Sequence, residues 1–247
     1  MEPQQLNCWY FSTKPVELIR LSEALLPKRL RLRKWRLYAV HCCQVIYPLL
    51  TRDAVRQALQ TAEAYADGLA SPEQLREGWL AVRQALNSTP LRSRWESALT
   101  AVLHATTVEL RSWDVEHLSF VIEETLRGEG IVPLKASPQS SQRELLAERQ
   151  RECAILRDLF NPVLPPIDPS WLLWEDGQIP QLAQAIYQEG RFEAMPVLAD
   201  ALEEAGCDEQ ALLDHARLPA EHFKGCWLLD ALRSGLSRPN CLPDYDD

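Results

Sequence analysis

Glycine is scarce in this chain, 9 residues in 247, and methionine scarcer still at 2. Phosphate-cradling loops need glycine for backbone approach, and none of their patterns is present: no GxGxxG after a strand, no GxxxxGK[ST]. HExxH and GxSxG are also missing, which removes the commonest zinc-protease and serine-hydrolase signatures. No apolar run approaches the roughly 20 residues that a membrane-spanning helix requires. The longest weakly charged stretch, Leu37 to Leu50, is too short and carries His41, Gln44 and Pro48. The opening MEPQQLNCWYF lacks the basic-then-apolar-then-small layout of a secretory leader. With 7 cysteines, an odd number, the expected state is reduced thiols in a cytoplasmic protein.

Leucine, alanine, glutamate, glutamine and arginine are abundant, and such straight-chain residues lose little rotamer freedom in a helix. Hydrophobic residues at 46% and charged residues at 25% are ordinary globular values. The net charge of −9 is unevenly spread: residues 1–130 hold 16 cations and 15 carboxylates, leaving 10 and 20 for residues 131–247. An acidic C-terminal half disfavours nucleic acid as a partner.

KRLRLRKWR, residues 28–36, packs 6 cations into 9 positions. Leu32, Trp35, Ala39, Cys42 or Cys43, Ile46 and Leu49 recur at three- and four-residue steps, which predicts an amphipathic helix with its arginines in water. Pro48 should bend or end it. A second helix is expected from Thr51 or Asp53 to Gly68. Ser71, Pro72 and Gln74 then form a helix-start signal, in which serine and glutamine can satisfy each other's backbone N–H groups. Further helices are expected around Trp95–Leu103, Val115–Leu126 and Leu145–Phe160. Others follow at Pro180–Gln188, Phe192–Ala205, Asp208–Ala216 and Ala220–Leu232. Residues 161–180, with 5 prolines, Trp171 and Trp174, read as an ordered loop. Trp35, Trp79, Trp95, Trp113 and Trp227 are the expected large core fillers.

The fold class expected is therefore all-α, in two packed helical regions of about nine helices. The N-terminal region spans 1–130, a Pro/Ser/Gln-rich linker 131–145, the C-terminal domain 146–236 and an acidic tail 237–247.

Several blocks, taken in order, resemble a large family of uncharacterised bacterial proteins abundant in planctomycetes. They are RLYAVHCCQVIYPLLTRDAVRQALQTAEAYADG, ILRDLFNPVLPP, DPSWLLWEDGQIPQLAQAIYQEGRFEAMPVLADALEEAGC and HFKGCWLLDAL. The likeness covers roughly 28–86 and 150–235. It implies a helical middle of variable length and assigns no activity. Where similar proteins often have His-Cys-Arg, this chain has His-Ala-Arg at 215–217, so no thiol stands at 216.

Cys207, His215, His222 and Cys226 are the one cluster of metal-ligand types. Two thiolates and two imidazoles suit a closed zinc site, which can contribute about 10–16 kcal/mol to folding. His222 and Cys226, four apart, are expected on one helical face. Against zinc stand the missing Cys-x2-4-Cys knuckle and the frequency of plain buried cysteine in cores. A Cys–His nucleophile pair, His222–Cys226 or His41–Cys42, lacks an orienting third group. The leading functional expectation is a non-catalytic helical module that binds a protein partner, with no cofactor. A zinc-dependent or Cys/His enzyme on the C-terminal cluster is the alternative. Nucleic-acid binding through Arg29, Arg31, Arg33, Lys34 and Arg36 is a third. Trp171 and Trp174 are a possible aromatic platform, against the plainer role of clamping their loop.

Overall fold

The computed structural model describes residues 1–91, 93–127, 138–218 and 221–233. Thirteen α-helices account for most of them, and no strand occurs among the described residues, so the class is all-α. The tail 237–247 and linker residues 131–137 lie outside the described set. Residues 138–145, expected as the end of a linker, are instead the first turns of a 22-residue helix. Contacts divide the chain into two compact units between Arg157 and Asp158.

The first unit holds α1 (Pro3–Phe11), α2 (Pro15–Ser22), α3 (Lys28–Cys42), α4 (Asp53–Ala66), α5 (Pro72–Asn87), α6 (Arg94–Thr106), α7 (Ser112–Arg127) and most of α8 (Pro138–Leu159). The sequence reading missed α1 and α2, although their start signals are present. Each opens on proline, whose missing N–H costs nothing at a first helical position, and the Glu2 N–H donates to Gln5 Oε1 at 2.9 Å. At α5 the predicted reciprocal cap forms: Ser71 N–H donates to Gln74 Oε1 at 2.7 Å, and Gln74 N–H to Ser71 Oγ at 3.2 Å.

Arg33, Lys34 and Arg36, expected in water, are inside. Every residue from Arg33 to Cys43 is buried, so α3 beyond its first five residues is enclosed on all sides rather than striped. A cation inside a core must be matched, since burying it unpaired costs several kcal/mol. Arg33 meets Asp67 at 2.9 Å. Arg36, fully buried, donates to the carbonyls of Ala105 at 3.0 Å and Val108 at 3.2 Å, and lies over the Tyr65 ring. The α3 cations thus staple helices α4 and α6 to it. Leu49 and Leu32 are only half-buried, because α3 ends at Cys42 and a turn, then a single 3₁₀ turn at Tyr47–Leu49, redirects the chain.

Tryptophan placement also differs. Trp9, Trp35 and Trp227 are buried; Trp79 is half-buried, and Trp95 and Trp113 are exposed at 44% and 61%. A second buried polar cluster joins α3, α7 and α8. Glu152 accepts from Ser119 Oγ at 2.7 Å and Tyr38 OH at 3.3 Å, while Tyr38 and Ser119 hydroxyls meet at 2.8 Å. Burial pushes the Glu152 carboxyl up to about 8, Ser119 opposing the shift and the Glu148 charge reinforcing it.

The second unit holds α9 (Pro169–Leu173), α10 (Gln178–Glu189), α11 (Met195–Glu204), α12 (Gln210–Arg217) and α13 (Trp227–Arg233). Its core is the apolar faces of these helices: Ile179, Ile186, Leu198, Leu202, Leu212, Leu228 and Leu229 among them. Trp171 sits in that core and Trp174 packs against it, so the proline-rich segment is clamped down by its aromatics.

Candidate metal centre

Asp158 occupies the last turn of α8, inside the apolar run Ile155, Leu156, Leu159 and Phe160. It is 5% exposed, and both carboxylate oxygens are engaged. Oδ1 lies 2.7 Å from His222 Nδ1, and Oδ2 accepts the Phe223 backbone N–H at 2.9 Å. Both contacts come from the segment 221–226, which is not helical, so the expected shared helical face of His222 and Cys226 does not exist. Gly225 makes the alternative path available: at φ 89° it turns the chain where a side chain would strain it, and Cys226 N–H closes onto the Phe223 carbonyl at 2.9 Å. Cys226 then stands immediately before α13.

His215 reaches the same place from the last turn of α12. Its Nε2 is 3.2 Å from Cys226 Sγ and 3.4 Å from Asp158 Oδ1. Its ring is fixed between Trp227, with centroids 4.6 Å apart, and His222 at 5.0 Å. One ligating atom from each of Asp158, His215, His222 and Cys226 can be chosen so that all lie within 4.8 Å of one another. Asp158, His222 and Cys226 are buried and His215 is half-buried. Burial raises the Asp158 carboxyl, but hydrogen bonds from His215 and His222 and their charge outweigh it and hold it below the usual carboxylate range. The second nitrogen of His222, Nε2, is buried without a hydrogen-bond partner among the described residues.

Three of the four metal-ligand residues picked from the sequence therefore converge, and Cys207 does not. Gly206, at φ 86°, ends α11, and Cys207 N–H folds back onto the Leu202 carbonyl at 2.9 Å. That closure delivers the Cys207 side chain to the apolar core, where burial raises its thiol pKa. Asp158 stands in its place. The signal for it was visible: a lone carboxylate between Leu156 and Leu159 on a helix is costly unless something buried needs its charge.

The other residues singled out in the sequence are buried or half-buried. Arg33, Lys34 and Arg36 are buried, Arg29 and Arg31 half-buried, Trp171 buried and Trp174 half-buried. His41 and Cys42, the other possible nucleophile pair, are buried in α3, and burial drives the Cys42 thiol well above its ordinary value. No helix among the described residues is long and apolar enough to cross a membrane. No family model matches the chain, and no curated protein or solved structure does so either.

Proposed function

We propose that the second unit is a zinc-stabilised helical module with a structural rather than catalytic centre, held by Asp158, His215, His222 and Cys226. The convergence of four donors of the types zinc accepts, from three separate stretches of chain, carries this reading. Zinc bonds of ~2.0–2.3 Å in a tetrahedron place neighbouring donors about 3.3–3.7 Å apart. The contacts of 2.7, 3.2 and 3.4 Å are close to those edges, so small shifts would admit an ion. A set of four protein ligands leaves no position for substrate, which is the mark of a structural site. The Phe223 N–H on Asp158 Oδ2 would orient the carboxylate from behind. We place the module's task in binding a protein partner, a reading supported by its all-helical architecture.

A second reading has one observation in its favour: Asp158 is the third group that a Cys–His nucleophile lacked. Two features weigh against it. Cys226 is fully buried, and His215 presents the same nitrogen to thiol and carboxylate, whereas a relay uses opposite ring nitrogens. Metal analysis of the purified full chain separates the two. Zinc near one equivalent, released in Cys226→Ser, supports the structural centre. A metal-free wild-type chain whose Cys226 reacts rapidly with iodoacetamide would overturn it.

A further inference from the structure

In the first unit, α6 ends and α7 begins around two histidines that the sequence reading left unused. His104 lies in the last turn of α6; Trp113, His117 and Phe120 follow one another along a single face of α7. His104 Nε2 and His117 Nδ1 are 2.8 Å apart. The opposite nitrogen of His104, Nδ1, lies 3.2 Å from Asp114 Oδ1, and Asp114 is itself fixed by accepting the Arg111 N–H at 3.0 Å. Trp113 stacks on His117 with centroids 4.8 Å apart and planes 9° from parallel, and meets His104 edge-on at 5.5 Å. Phe120 lies over the same imidazole at 6.0 Å. Trp113 and Phe120 nevertheless remain 61% and 55% exposed.

These contacts do more than hold a helix junction. Two half-buried imidazole nitrogens face each other, their rings are pinned by neighbouring aromatics, and one is backed by a carboxylate. Metal-ligating histidine almost always donates its other N–H to such a group, which fixes the tautomer and raises basicity. The spacing also carries information. With metal–nitrogen bonds of ~2.0 Å, ligands at a right angle lie about 2.8 Å apart, and tetrahedral ones about 3.3 Å. The observed 2.8 Å is the length of the N–H···N hydrogen bond between the rings and equals the right-angle edge, so a tetragonal ion requires no separation of the two nitrogens. Tetragonal sites with nitrogen donors are those of copper(II) and nickel(II).

We propose that the half-buried pair His104 and His117, beside the exposed Trp113 and Phe120, forms a site for a tetragonal divalent transition ion, copper(II) or nickel(II), with water completing its coordination. Asp114 is a positioning residue, not a ligand. In the empty pair one nitrogen donates its N–H to the other. The ion takes both lone pairs: His104 keeps its proton on Nδ1 toward Asp114, and His117 moves its proton from Nδ1 to Nε2, so the neutral pair releases no proton and no oxidation state changes. The site rests on residues of the first unit alone and does not depend on the zinc reading.

The test is nickel binding by untagged, full-length, zinc-loaded protein, followed by titration calorimetry. Wild type should bind one nickel ion per chain. His117→Gln should abolish this, and Asp114→Asn should weaken it about tenfold. His117→Gln should leave the zinc content unchanged, so failure of the zinc centre cannot be mistaken for failure here. Should His117→Gln fail to fold, wild type alone decides through copper(II): its paramagnetic spectrum should report a tetragonal ion with two imidazole nitrogens, and Trp113→Phe should remove part of the fluorescence quenching. Absence of saturable nickel binding, nickel binding that survives in a folded His117→Gln chain, or a copper spectrum with thiolate ligation overturns the proposal.

Discussion

Asp158 and His222, 64 positions apart in the chain, meet at 2.7 Å in a place closed to water. Neither residue can be changed without leaving the other buried and short of a partner. The expected outcome of Asp158→Asn is a zinc affinity lower by about 10–100-fold, measured by competition with a chromophoric chelator. An unchanged affinity would remove Asp158 from the centre.

Cys207 and Cys226 should separate cleanly. Cys207→Ser is expected to keep the wild-type zinc content while losing about 1–3 kcal/mol of stability, because a hydroxyl replaces a thiol in an apolar core. Zinc analysis beside a urea melt distinguishes this from Cys226→Ser. Loss of zinc in the Cys207 variant would restore the ligand set read from the sequence.

Glu152 sets a pH dependence in the first unit. Its pKa of about 8, against an ordinary 4.5, means that the native state keeps a proton which the unfolded chain has already released. Native protein binds more protons in that window, so stability is greatest below about pH 4.5 as far as this group is concerned. It falls by up to ~1.4 kcal/mol per pH unit until about pH 8. Glu152→Gln, which stays neutral, should flatten the profile. Urea midpoints taken from about pH 5 to about pH 8 in both chains check this, and parallel profiles would refute the buried neutral acid.

The basic segment should behave as core, not as surface. Arg36→Ala is expected to cost more than ~2 kcal/mol, since it opens a cavity and strips one buried and one half-buried carbonyl of a donor. Arg29→Ala, at a half-buried position, should stay within ~1 kcal/mol. Equal, small effects in thermal melts would return the segment to solvent.

Much of the helical layout was legible, because it depends on neighbours three and four residues away. The reciprocal cap of Ser71 and Gln74 forms as read, and the buried positions of α4 at Val55, Ala58, Leu59 and Ala62 match the periodicity. The errors share one cause. The cations of α3, the exposed Trp95 and Trp113, and the exclusion of Cys207 all turn on what a distant segment places opposite a residue. Periodicity carries no information about that.

Alternating apolar spacing, caps and proline positions thus determined, without help from the rest of the molecule, that this chain is helical and where most helices begin. Only the tertiary structure decided that Asp158 joins His215, His222 and Cys226, because ligands from three separate stretches become neighbours only when the chain has closed its long loops. It also decided that Arg36 belongs inside, since a charge is tolerable in a core only where another helix supplies carbonyls to receive it.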